Sequence, residues 1–158
     1  MLELLLPARA DNAYRGHRLA LWLLGLLLLV KAAIGLASIF NGHTAASSAD
    51  GIPIDTYTPA GARTVVALFA LIGLANVIIC AVGAVVLVRY RSLVPLMLTL
   101  LLAQQVGRYL ILQYLPIART GAPPGAAINL ALLGAMIAGL ALSLWARGGA
   151  RSSAAVGA

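Results

Sequence analysis

The stretch LLLLVKAAIGLASIF, Leu26–Phe40, decides how the chain is read. It completes an apolar run that starts near Arg18, and one lysine, Lys31, stands thirteen residues into it. A helix of about 20 such residues crosses the hydrocarbon core of a bilayer. The rest of the chain has the same character: 62% of its 158 residues are hydrophobic and 9% are charged, against about 25% charged in soluble domains. The composition predicts an integral membrane protein.

Four segments are long and apolar enough to span, at about 18–40, 63–88, 93–115 and 126–146. Thr58 before Pro59 reads as a helix start, and Pro95 falls in a first turn, where its missing N–H costs nothing. YLPIARTGAPPG (residues 114–125) is a breaker-rich connection between the third and fourth spans. The expected fold is therefore all-α: a single transmembrane domain over residues 1–158, a four-helix bundle in up-down order with an outer loop at 41–62 and short tails.

Eleven Lys and Arg oppose four Asp and Glu, for a formal net charge of +7. In a soluble chain that excess would suggest nucleic acid. Here the basic residues flank the apolar runs and serve topology and anionic lipid instead. Arg9, Arg15, Arg18, Arg89, Arg91, Arg147 and Arg151 collect on one side, and only Arg63 and Arg119 on the other. Cytoplasmic flanks accumulate Lys and Arg, so both termini are predicted cytoplasmic, in a bacterial inner membrane. A signal-peptide reading of LALWLLGLLLLV (residues 19–30) is disfavoured by the poor cleavage signal near Ala37. The segment before it, interrupted by Pro7, is too short to span. It either lies on the membrane surface through Leu4–Leu6 or frays.

At about 100° per residue, Lys31, Gly35 and Ser38 share a face of the first helix with Leu24 and Leu27. Gly73, Asn76, Cys80 and Ala84 form a narrow small-and-polar stripe on the second. On the third, Gln104, Gln105, Arg108 and Leu112 share a face, with Tyr109 beside it. The plainest role of the amides is interhelical hydrogen bonding, worth about 1 kcal/mol each in a membrane. On the fourth, Ala127, Ala131, Gly134, Ala135 and Ala138 make a smooth stripe with Asn129 opposite. If Asn129 points inward, the stripe is free to pack a second protomer or another subunit of a larger complex. If the stripe points inward, Asn129 meets head groups.

Several chemistries are missing from the spans. No acidic residue lies in any of them, and both histidines, His17 and His43, fall at their edges. A carboxylate relay and paired haem ligation inside the bundle are thereby disfavoured. No cofactor is expected. The lone cysteine, Cys80, excludes an internal disulfide. In the outer loop, His43, Asp50 and Asp55 match no metal-ligand spacing, and Ser47 or Ser48 no hydrolytic motif. Asp50 before Gly51 reads as a turn, and the loop's two carboxylates are placed to lie over the outer mouth of the bundle.

Counted from the cytoplasmic ends, Lys31 and Arg108 fall beyond the midplane by about 3 Å and 6 Å at 1.5 Å per residue. Two like charges at similar depth, with no acid in the spans, need explanation. Arg108 keeps its proton, so either Lys31 is neutral or an anion lies near both. The expectation is an anion pocket of Lys31, Arg108, Gln104, Gln105, Asn76 and Tyr109. Its counter-ion is a lipid phosphate, a ligand carboxylate, or Asp50 or Asp55 folded inward. The function so implied is non-enzymatic: an accessory or assembly subunit, or a binding module, for an anionic head group or acidic ligand. A small oligomeric transporter or channel, and a lipid-modifying enzyme using outer-loop residues, are the alternatives.

Overall fold

The computed structural model describes residue 7 and residues 10–14, 16–121 and 123–145. The tail features at Leu4–Leu6, Arg9, Arg15, Arg147 and Arg151 lie outside the described residues. Four long helices dominate: α1 (Arg18–Phe40), α2 (Pro59–Arg89), α3 (Val94–Tyr114) and α4 (Pro124–Trp145). Each is long and apolar enough to cross a membrane. No strand occurs among the described residues.

Local chemistry sets the helix ends. The imidazole Nδ1 of His17 accepts the Leu19 N–H at 3.2 Å and caps α1. The Thr58 hydroxyl accepts the Gly61 N–H at 3.2 Å, with Pro59 in the first turn. That cap starts α2 at Pro59, ahead of the apolar boundary expected at 63, because the first turn needs capping more than hydrophobicity. α3 also opens with a proline, Pro95, in its first turn.

α1 is the central element, packed along α2 and against α4, and α4 packs in turn along α3; α2 touches α3 only sparsely. Glycines set the α1–α2 approach. Gly42 lies against Val66, Gly35 against Gly73, Gly83 against Leu28 and Gly25 against Leu87, so the two helices run in opposite directions. A Cβ on Gly73 would come 2.5 Å from the Gly35 carbonyl oxygen, and one on Gly35 would come 2.8 Å from that of Gly73. Backbone meets backbone there. The buried seam of α2 passes through Gly73, Cys80, Gly83 and Val86. It reaches Gly83 where the sequence stripe pointed to Ala84, which is exposed. Steps of seven, three and three residues keep these four on the face turned to α1. Below it, Leu24, Leu27, Leu28, Leu98, Leu101, Leu132 and Met136 form the main core.

The connection between α1 and α2 is ordered by its own small core. A helical turn (Gly42–Thr44), a π-helical turn (Ala45–Ala49) and a 3-10 turn (Ile54–Thr56) fold the chain back on itself. Ala46, Ile52 and Ile54 are buried together against Val65, Val66 and Phe69 of α2. Gly51, at φ +71°, makes the tight turn foreseen after Asp50. Its carbonyl accepts from the Thr120 N–H at 2.8 Å, which docks the cap onto the α3–α4 connection. Replacing Ile54 by alanine is expected to cost about 2–4 kcal/mol of local stability. Limited proteolysis of the detergent-solubilised protein should then cleave within residues 41–58 sooner, with the four long helices intact.

At the other end, the described part of the N-terminal segment is tied down. The Ser92 hydroxyl donates to the Asp11 carbonyl at 2.9 Å and accepts the Asp11 N–H at 3.0 Å. The His17 N–H reaches the Leu142 carbonyl at 3.4 Å. Of the two fates weighed for this segment, fraying does not describe Asp11, which the α2–α3 turn holds through Ser92.

Candidate functional site

The second half of α3 turns polar, and its neighbours divide those side chains between two places. Gln105 is buried against α4, where its Nε2 donates to the Asn129 Oδ1 at 3.2 Å and to the Asn129 carbonyl at 3.3 Å. One turn on, Arg108 Nη2 donates to Asp50 Oδ2 at 3.1 Å, with the arginine side chain 42% exposed and the carboxylate 19%. Around this pair opens a cleft of about 670 Å³ between α3, α4 and the α3–α4 connection. Tyr109, Gln113 and Arg119 add polar groups to it, and Leu112, Leu130 and Leu133 make an apolar wall.

The second place lies between α1, α2 and α3. Lys31 is 7% exposed there, and no hydrogen bond or ion pair joins its ammonium group to any other described residue. Gln104 Nε2 donates across the α2–α3 side to Asn76 Oδ1 at 3.1 Å. The other end of that amide, Gln104 Oε1, is buried without a partner among the described residues. Asn76 abuts Gly35, and Lys31 and Cys80 each lie one turn from that contact along their own helices. Arg108 stands one turn beyond Gln104 on α3.

The six residues expected in one pocket are thus arranged as two adjoining groups. Arg108, Gln105 and Tyr109 line the cleft; Lys31, Gln104 and Asn76 occupy the interhelical gap. Of the two loop carboxylates, Asp50 pairs with Arg108, whereas Asp55 lies 3.7 Å from His43 Nε2 at the surface and outside the cleft lining. Ser47 donates to the His43 backbone carbonyl at 2.9 Å, not to its ring. Among the described residues no three His, Cys, Asp or Glu side chains cluster to hold a metal.

Sequence reasoning left two features of the cleft unassigned. Arg119 was readable only as a topology signal inside a breaker-rich segment, and the orientation of Asn129 was open. Asn129 faces α3, which leaves Ala127, Ala131, Gly134 and Ala138 exposed on the outside of the single chain, with Ala135 partly covered. A Cβ on Gly134 would meet nothing within 4 Å. Across cleft and gap, three basic side chains, Lys31, Arg108 and Arg119, stand against one acid, Asp50. An arrangement with surplus basic groups, amide donors and an apolar wall can bind an amphiphilic anion. Comparison with protein-family models, curated proteins and solved structures finds no match for the chain.

Proposed function

We propose that the chain is an integral protein of a bacterial cytoplasmic membrane, with four spans in up-down order and both termini cytoplasmic. It acts as a non-enzymatic binding module or accessory subunit whose outer-half pocket holds an anionic group. The observation that carries this reading is the cleft beside Arg108. Arg108 and Arg119 supply more positive charge than Asp50 neutralises, and Leu112, Leu130 and Leu133 offer apolar surface next to it. A phosphate-bearing lipid presents the matching pair of features, a charged head and an acyl chain. Tyr109 and the Gln105–Asn129 pair border the same space and orient the head group through hydrogen bonds.

The test is native mass spectrometry of the gently extracted protein. Retained anionic phospholipid is the expected result, with its loss on Arg108→Leu. Retention of only zwitterionic lipid, or of anionic lipid to the same extent in Arg108→Leu, would overturn the reading. Orientation has its own check. A C-terminal phosphatase fusion, active only outside the cytoplasm, should stay silent, whereas the same reporter inserted after Ser48 should be active.

A further inference from the structure

The gap between α1, α2 and α3 has no part in head-group binding at Arg108, yet it holds a buried amide oxygen with no partner among the described residues. Lys31 is more than nine-tenths buried with no hydrogen-bond partner among the described residues. The Gln104 Oε1 is likewise buried and unpartnered among them. An unpaired ammonium in an apolar interior is costly, and so is an orphaned amide oxygen. Asp50, the loop acid that reaches α3, is engaged by Arg108. We propose that this gap is a binding site for the carboxyl group of a membrane-soluble monocarboxylic acid of the fatty-acid class, held by Lys31 and the Gln104–Asn76 amide pair.

Three physical arguments select that chemistry. The first is access. α2 touches α3 sparsely, and in the membrane-embedded reading on which this proposal rests the side between them faces lipid. Lys31 stands nine residues before the end of α1 at Phe40, about 13 Å at 1.5 Å per residue. An inorganic anion would have to shed its water to arrive there, whereas a protonated fatty acid is already dissolved in hydrocarbon.

The second is charge. Where the Lys31 amine is uncharged before the acid arrives, uptake of a neutral acid leaves the net charge of the gap unchanged. The carboxyl O–H bond breaks, its proton joins the lone pair of the Lys31 Nζ, and a carboxylate is left against the new ammonium. No further reactant is needed. Arg108, one turn beyond Gln104 on α3, repels an ammonium standing alone and attracts the carboxylate that accompanies it.

The third is hydrogen bonding. If both amides turn over together, Asn76 Nδ2 donates to Gln104 Oε1 and the bond between them is kept. Gln104 Nε2 then points where the orphaned oxygen now lies. The carboxylate accepts from that N–H and from Lys31, so the end of the Gln104 amide that is now orphaned gains a partner.

The experiment uses the full chain in nanodiscs of phosphatidylcholine, titrated with dodecanoic acid carrying a carbon-13 carboxyl. One acid should bind per chain. Its resonance should sit at the ionised position at pH values where the acid free in the bilayer still carries its proton. Lys31→Met, an apolar replacement of similar length, should weaken binding by about tenfold or more, and Gln104→Leu should weaken it less. Methyl dodecanoate should not compete. Equal binding by Lys31→Met, or equal competition by the ester, would overturn the proposal. So would acid binding that is lost in Arg108→Leu and kept in Lys31→Met, since the acid would then lie in the outer cleft. Anionic-lipid retention by Lys31→Met shows that variant folded and reports separately on the head-group reading.

Discussion

Gly73→Val is expected to break the bundle at the α1–α2 seam. The added Cβ would sit 2.5 Å from the Gly35 carbonyl and 2.9 Å from the Cβ of Ser38. Neither is the end of a flexible side chain, so the helices must part. Overpacking typically costs about 1–3 kcal/mol, and this site belongs at the upper end because backbone meets backbone on both sides. Separation of α1 from α2 would also uncover Lys31 and pull Asn76 from Gln104. The measurement is the unfolding midpoint in a titration from mild detergent into dodecyl sulfate, which should fall sharply. Gly134→Ala is the matched control. Open space surrounds its Cβ, and alanine is favoured over glycine in a helix by about 1 kcal/mol, so its midpoint should hold or rise. Equal loss in both variants would mean that the close α1–α2 approach does not support the fold.

Removing either partner of the Arg108–Asp50 pair should move anionic-lipid binding in opposite directions. Arg108→Leu takes away the cation at the centre of the cleft, and a charge-assisted hydrogen bond of about 1.5–3 kcal/mol with it. Binding of phosphatidylglycerol in zwitterionic nanodiscs should then fall about tenfold or more. Asp50→Asn removes the intramolecular competitor for the same guanidinium. A partly exposed pair of this kind is worth about 0.2–1 kcal/mol, so affinity should rise by up to about fivefold. The Ile52 and Ile54 cluster and the Gly51–Thr120 hydrogen bonds still hold the cap in that variant. A parallel fall in both variants would show that the salt bridge shapes the site rather than competing for it.

The four long helices were legible because their signal is local and strong. A run of apolar residues of bilayer length needs no neighbour to declare itself, and the Thr58–Pro59 cap and the Pro95 first turn are written in adjacent residues. The polar face of α3 was legible too, since helical periodicity alone groups Gln104, Gln105, Arg108 and Tyr109. What periodicity does not contain is the identity of the facing helix. Gln104 and Gln105 are neighbours in sequence, yet a rotation of about 100° per residue sends one to Asn76 on α2 and the other to Asn129 on α4. That divergence separates the cleft from the Lys31 gap, and only tertiary packing decides it.

The loop shows the same division between local and distant determinants. Asp50–Gly51 announced a turn, because a positive φ is a property of the residue itself. Which carboxylate would reach an arginine was not a local property. Asp50 meets Arg108, and Asp55, a few residues on, faces His43. The difference arises from the burial of Ile52 and Ile54 between them, which fixes how the chain turns over the bundle. Sequence determined the length, polarity and ends of each helix through short-range hydrogen bonding and the hydrophobic effect. Tertiary structure decided every charge partnership, because residues 58 positions apart, such as Asp50 and Arg108, meet only once close glycine packing and the cap have set the helices in place.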